Sequence, residues 1–437
     1  VKHRADIDGL RALSVLLVVF YHADLLECRS GFVGVDVFFV ISGYLVSQLI
    51  LRDLDQGRFS LATFFARRIR RLLPCLLAVC LVTTALGWFL MLPEEFAHLG
   101  SVLMSQPLLA TNFVYALTTK FGYFGATTVN YPLLHLWSLA VEEQFYVLFP
   151  LLLVLVLGRT RRHYSFFVLF LASYGFSVWS SPIWPAHAYY LLPTRAFEIL
   201  AGALVGQVRP LPVWTGWPAL LVILVSAWHI PSGTPYPGAV ALAPTLAAAV
   251  LLSVGAGKAG WLQKALSLRP LAWIGLVSYS MYLWHWPVIA LLRSSLLWKP
   301  HFGTYWLLLL FPLSYLSWRF IEQPFRYRAW SNRQSFAFAA AGGGLLAGLG
   351  LLIWLNQGFP QRLPEHAWRL AAQEYTPNRF NLEITQEMLQ AGQLQHFGAP
   401  GKTRFMVLGD SHAMAVLPGL DQSCQKLGIS GLAITHS

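Results

Sequence analysis

Residues 8–26 read DGLRALSVLLVVFYHADLL. The stretch is apolar enough for a lipid bilayer, yet Arg11 sits near its start and His22 near its end. An ionisable side chain at the centre of a membrane helix costs about 2.5–3.5 kcal/mol on insertion scales, so such residues face a bundle interior and mark function. On a helix the two positions fall within about 20° of one face and ~16 Å apart along the axis. Arg11 alone reads as a snorkelling anchor and His22 alone as a packing histidine; a shared face points both at one interior path.

The rest of the chain has the same character. Of 437 residues, 56% are hydrophobic and 11% charged, where a soluble domain carries about 25% charged. That is the composition of a polytopic membrane protein. The net charge of +12 sits in short clusters between apolar runs. This arrangement orients membrane helices and argues against nucleic acid as a partner. Cys28, Cys75, Cys80 and Cys424 show no metal-site spacing, so no metal is expected. The first apolar run lacks a small-residue cleavage site, so no signal peptide is expected.

Eleven spans are expected, near 9–27, 33–51, 72–92, 138–157, 164–181, 190–207, 213–230, 238–255, 271–293, 304–321 and 335–355. The stretch 96–118 is apolar but carries His98, Ser105, Gln106, Pro107 and Asn112. If it does not span, the basic clusters fall on one side: Lys2/Arg4, Arg52/Arg58, Arg67 to Arg71, Arg159 to Arg162, Arg209, Lys258/Lys264/Arg269 and Arg326/Arg328/Arg333. Arg29, Lys120, Arg195 and Lys299 remain on the other. The positive-inside rule then makes the N-terminus cytoplasmic, 93–137 an external or re-entrant excursion, and the tail external. The tail turns polar after Pro360 and Pro364, then offers a strand at 405–408 and a helix from His412.

Several motifs carry chemistry. FARRIRRLLP (65–74) puts four arginines at the mouth of the third span, where either Arg67 or Arg68 shares a face with Arg71. Guanidinium grips phosphate bidentately, so the cluster suits a phosphorylated anion as well as anchoring topology. FVGVDVFFVISGYL (32–45) carries Asp36 into the membrane, and LLHLWSLAVEEQFYVLFP (133–150) carries His135, Glu142 and Glu143. Arg195 and Glu198 form an i,i+3 pair that reads most simply as an ion pair. His285 lies in the aromatic-rich SYSMYLWHWP (278–287), and Glu322 ends the tenth span. GDSHA (409–413) sets Ser411 at a strand-to-helix turn, a position that suits a nucleophile.

In family order, these motifs with TRAFEILAGALVG and WRFIEQPFR make the whole chain resemble the acyltransferase-3 family, and within it the bacterial sugar O-acetyltransferases with a fused external SGNH-hydrolase-like domain. The resemblance implies an all-α polytopic membrane bundle, a ten-helix acyltransferase core plus an eleventh linking helix, followed by the start of a soluble α/β SGNH-like domain. It assigns 1–330 to the acyltransferase domain, 331–357 to the linking helix, 358–404 to a periplasmic linker and 405–437 to an incomplete SGNH-like domain. It makes His22 and Glu142 catalytic and gives Arg11, Arg68 and Arg71, with Arg67 adjacent, to the phosphates of cytoplasmic acetyl-CoA. Asp36 or Glu142 is expected to fix the His22 tautomer, and Arg195 and His285 are further site candidates. Ser411 would be a nucleophile only in a complete domain, because no Asp-x-x-His follows it before Ser437. The implied reaction moves an acetyl group from acetyl-CoA across a bacterial inner membrane to a hydroxyl of a polysaccharide or lipid-linked glycan, with lipopolysaccharide O-antigen as the expected acceptor. The alternative is a transporter with a polar intramembrane pathway, which shares the buried charges and interrupted helices.

Overall fold

The computed structural model describes residues 3–119, 123, 130–155, 162–231, 233–257, 260–294, 302–364 and 394–435. Lys2, Lys120, Arg159, Arg161, Lys258 and Lys299 of the charge pattern lie outside them. The chain forms two compact units, Val1–Pro360 and Gln361–Ser437.

The first unit is helical among the described residues. Its helices are α1 (Ala5–His22), α2 (Val33–Asp55), α3 (Leu61–Leu90), α4 (Pro93–Ser105), α5 (Thr111–Thr118), α6 (Leu136–Leu155), α7 (Arg162–Ser180) and α8 (Pro185–Tyr190). They continue as α9 (Leu192–Val205), α10 (Gly216–His229), α11 (Leu242–Ala256), α12 (Trp261–Leu266), α13 (Arg269–Ser294), α14 (Phe302–Ser317), α15 (Gln323–Arg326) and α16 (Asn332–Leu355). Every expected span holds a helix. By length and composition α2, α3, α6 and α16 suffice to cross a bilayer, while α7, α10 and α11 are apolar but shorter. Exposed Phe89, Val168, Leu221, Leu308, Phe320 and Leu355 leave broad apolar flanks. Water would not tolerate so large an apolar surface and lipid does, so the chain is a multi-pass membrane protein.

Two elements depart from the expected rods. The α1 helix ends at His22 rather than at 27, because Asp24, Leu26 and Glu27 adopt left-handed backbone with φ of 53°, 55° and 50°. The 96–118 stretch is a broken pair, α4 and α5, hinged on a 3₁₀ turn at Gln106–Leu108. Pro107 has no N–H to continue the first helix. The polar residues that made this stretch ambiguous instead stitch the break. Thr111 donates to Gln106 Oε1 at 2.8 Å, and Gln144 of α6 donates to the Leu109 carbonyl at 2.7 Å and to Asn112 at 2.8 Å.

Around the interior, α1 packs chiefly on α13 and α2 on α9. The second contact is a backbone-to-backbone one. A Cβ at Gly43 would strike the Ile199 carbonyl, and a Cβ at Gly202 would strike the Val40 carbonyl. Small residues allow this approach where apolar lipid provides no drive for looser association. The last helix, α16, begins at a capping box on Ser331 and is tied to α3 by Arg70, which donates to the Trp330 carbonyl at 2.9 Å and to Ser335 at 3.1 Å.

The second unit holds β1 (Gln395–Gly398), β2 (Thr403–Gly409), α17 (Ser411–Leu427) and β3 (Ser430–Thr435). The sheet order is β1-β3-β2, with β2 parallel and β1 antiparallel to β3. Thus β2–α17–β3 is a crossover unit, and β1 lies ahead of residue 405. Phe397, Leu417, Cys424 and Ala433 form its small core.

Substituting Gly202→Leu should separate α2 from α9. Overpacking typically costs about 1–3 kcal/mol, and a backbone contact leaves little room to relax. The expected result is a lower melting temperature of the detergent-purified protein, whereas Gly344→Leu, which meets no neighbour within 4 Å, should melt as wild type.

Candidate active site

At one end of the bundle Arg11, Arg68 and Arg71 border a partly open cavity. Its walls come from α1, α2, α3, α6 and α13, and include Ser42, Glu142, Tyr146, Ser138 and Tyr282. The Arg68 guanidinium lies over the Tyr146 ring, 3.4 Å from its centroid, and its Nε is 3.8 Å from Glu143. Tyr146 donates to Glu142 at 3.0 Å and also contacts the Ser42 hydroxyl. Arg71 Nε has no hydrogen-bond partner among the described residues. Glu322 closes the Trp318–Glu322 π-turn, accepts from Ser280 at 3.0 Å and is an electrostatic neighbour of Arg71 and Arg11.

The structure separates the four arginines that spacing left open. Arg68 and Arg71 face the cavity. Arg67 turns away to Asp53 at 3.5 Å, an acid also approached by Arg52 and Arg58. The expected place of Arg67 beside a bound phosphate is corrected accordingly, because its side chain does not line the cavity.

At its far end the cavity reaches Ser138 and Tyr282, whose hydroxyls are 2.6 Å apart. Behind Tyr282 stand three buried histidines. The His285 ring centroid is 5.2 Å from His22 and 5.4 Å from His135. Trp286 packs edge-on to His22 at 4.6 Å. His22 Nε2 meets the Tyr123 hydroxyl at 2.6 Å. His135, through both nitrogens, and His285, through Nε2, hydrogen-bond no described residue, while His285 Nδ1 contacts the Tyr282 carbonyl. No cluster of three or more His, Cys, Asp or Glu among the described residues is arranged to hold a metal.

No carboxylate hydrogen-bonds His22 among the described residues, so the expectation that Asp36 or Glu142 orients it is corrected. Glu142 belongs to the arginine-lined cavity. Asp36 accepts from Arg195 at 2.8 Å, and the same guanidinium nitrogen donates to Glu198 at 2.9 Å. Tyr236 donates to the second Asp36 oxygen. Arg195 Nε donates to the Tyr189 carbonyl at 3.0 Å, and the rings of Trp137, Tyr189 and Tyr236 surround the cation. Arg195 and Glu198 are therefore a fully buried ion pair with a third member, Asp36. Tyr189 stacks on Tyr123 at 4.4 Å, which links this network to the partner of His22. Tyr123 is a site residue that the sequence motifs did not single out. Ser411 opens α17, and its side chain lies outside the described residues.

The site thus combines an arginine-bordered cavity with a cluster of buried histidines behind Tyr282, inside a helical bundle. An acyltransferase domain family model matches residues 4–311, and an SGNH domain model, of the kind fused to such acyltransferases, matches 381–437. The chain belongs to the acyltransferase-3 family with an SGNH fusion. It is 31% identical over 363 residues to the peptidoglycan O-acetyltransferase OatA of Listeria monocytogenes, covering 76% of this chain and 57% of that protein. It is 32% identical over 367 residues to a putative peptidoglycan O-acetyltransferase, YrhL, of Bacillus subtilis, covering 76% and 57%. A putative O-acetyltransferase of Staphylococcus aureus is 31% identical over 353 residues, covering 74% and 58%. The matches thus span little more than half the length of these relatives. No solved structure matches the chain.

Removing the central cation by Arg195→Met should leave Asp36 and Glu198 buried without compensation. Breaking a buried pair this way costs about 3–5 kcal/mol. The expected outcome is loss of folded protein on size-exclusion chromatography, with Arg67→Met on the half-exposed Asp53 pair behaving as wild type.

Proposed function

We propose that the protein transfers an acetyl group from acetyl-CoA to a hydroxyl of a cell-wall or surface polysaccharide. The observation that carries this reading is the linear order of the site, with three arginines around one end of a cavity and a buried histidine cluster behind its other end. A donor whose phosphates sit among Arg11, Arg68 and Arg71 would direct its thioester along the cavity toward Tyr282 and the histidines. Arginine suits the phosphates because its donors form a fixed fork. The charge pattern of the sequence supports the arginine end as cytoplasmic and the histidine end as external, in a bacterial cytoplasmic membrane.

His22 is the reacting group of this proposal. As general base, Nε2 takes the proton of the acceptor hydroxyl while its oxygen attacks the thioester carbonyl. The C–S bond then breaks and the thiolate leaves, finally protonated. As nucleophile, Nε2 attacks the thioester carbonyl and the C–S bond breaks to release the thiolate; the acceptor hydroxyl then attacks the acetyl-imidazole carbonyl, the N–C bond breaks to free Nε2, and the hydroxyl proton ends on the thiolate or solvent. Either route requires the Tyr123 hydroxyl to yield its place on Nε2. The names of two relatives, both peptidoglycan O-acetyltransferases, one of them putative, support peptidoglycan as the acceptor class; lipopolysaccharide O-antigen is the acceptor implied by the broader resemblance.

Purified protein incubated with radiolabelled acetyl-CoA and glycan tests the reading. Losing a general base costs about 10²–10⁴-fold, so His22→Ala should lower transfer by at least that range while leaving the protein in the membrane. Arg68→Ala/Arg71→Ala should raise the acetyl-CoA KM roughly 10- to 100-fold, as expected from loss of charge-assisted bonds worth about 1.5–3 kcal/mol. Wild-type transfer by His22→Ala would overturn the role of His22.

A further inference from the structure

A second cleft opens beside the end of α1 that carries His22. Tyr21, Arg29, Phe32, Trp228, His229 and Thr234 are among its lining residues. It lies at the opposite end of α1 from Arg11, a separation of ~16 Å by helix rise. The Tyr21 ring is 4.9 Å from His22 and 5.4 Å from Phe32.

The cleft is built rather than incidental. Ser30 donates from its backbone to the Ala227 carbonyl and from its hydroxyl to the Ile230 carbonyl, both at 2.9 Å. The Trp228 indole donates to the Leu26 carbonyl at 2.9 Å. These bonds hold the connection after His22, where Asp24, Leu26 and Glu27 all carry positive φ. Non-glycine residues stay in that region only where their surroundings over-determine them, and such strain concentrates at ligand sites. Phe32 also packs edge-on to Tyr236 at 4.8 Å, and Tyr236 donates to Asp36, so the buried acid network backs one wall of the cleft.

We propose that this cleft binds a sugar of the acceptor glycan. A pyranose ring has one face of C–H groups and a rim of hydroxyls. Tyr21, Phe32 and Trp228 offer aromatic surface for the first. For the second, Arg29, which pairs with Glu27 at 3.8 Å, keeps further N–H donors, His229 keeps Nε2 beyond its Nδ1 contact with the Val225 carbonyl, and the Thr234 hydroxyl, which donates to the Pro231 carbonyl, can accept. No acidic side chain lines it among the described residues, which leaves the rim to donors and neutral groups. Tyr21 of the cleft adjoins His22 on α1, so an acceptor held there lies beside the histidine end of α1 and away from the arginine-bordered cavity. This inference rests on the acetyl-transfer reading and adds to it the place where the acceptor is held.

The test measures binding without turnover. A soluble chito-oligosaccharide of five sugars is added to the full-length protein in nanodiscs, and saturation-transfer difference NMR reads contact. The same samples are melted with and without acetyl-CoA. Wild type should give a saturation-transfer signal; Thr234→Trp, which fills the cleft, should abolish it, and His229→Ala should weaken it several-fold. All three proteins should keep the same acetyl-CoA-induced rise in melting temperature. A wild type without signal, or a Thr234→Trp protein with undiminished signal, overturns the cleft as a sugar site. Loss of the acetyl-CoA shift in wild type instead overturns the acetyl-transfer reading, and the two failures are read from separate measurements.

Discussion

One guanidinium governs the interior. Arg195 is out of reach of water, and its charge is balanced by Asp36 from α2 and Glu198 from its own helix. A single buried cation would be expelled or would drag water inward. Two acids on one arginine invert the imbalance, and the hydroxyl of Tyr236 helps to absorb it at Asp36. Aromatic faces complete the shell at the sides that hydrogen bonds leave open. Because the members come from α2, α9, the 236 region and the ring of Trp137 on α6, the network also fixes how these parts meet.

The same economy runs through the arginine cavity. Arg68 is not a free surface charge; it lies on Tyr146, with Glu143 at one edge and the Tyr146–Glu142–Ser42 chain beyond. Stacking holds the guanidinium plane while leaving donors for an anion. Arg71 lies beside Arg68, Arg11 and Glu322, so the cavity mixes guanidinium groups with carboxylates, and Arg71 Nε has no hydrogen-bond partner among the described residues.

The helices were legible because apolar runs and their interruptions are local properties. The shared face of Arg11 and His22 follows from helical period alone, and both ends of that face do border the polar interior. Other features needed the third dimension. Period allowed Arg67 or Arg68 to accompany Arg71, and only the position of Asp53 on α2 shows which one turns away. A carboxylate was the natural guess for the partner of His22, yet the group that arrives is the hydroxyl of Tyr123, from a connection 101 residues later. Likewise Asp36 and Arg195 are 159 residues apart, so their pairing leaves no mark in either local pattern. The polar residues of 96–118 were rightly unsuited to a straight span, but their use in sealing a break through Gln144 depends on α6 lying alongside.

The interlocked glycines of α2 and α9 bear on how the molecule can move. With Gly43 seated on the Ile199 carbonyl and Gly202 on the Val40 carbonyl, neither helix can slide by part of a turn without driving a side chain into backbone. The two helices therefore travel as one rigid body. Helix α1 is seated on the same body, because a Cβ at Gly34 would strike the Ser14 carbonyl. The cavity walls that carry Arg11 and Ser42 therefore keep their spacing, and a bulky donor must be admitted without parting them.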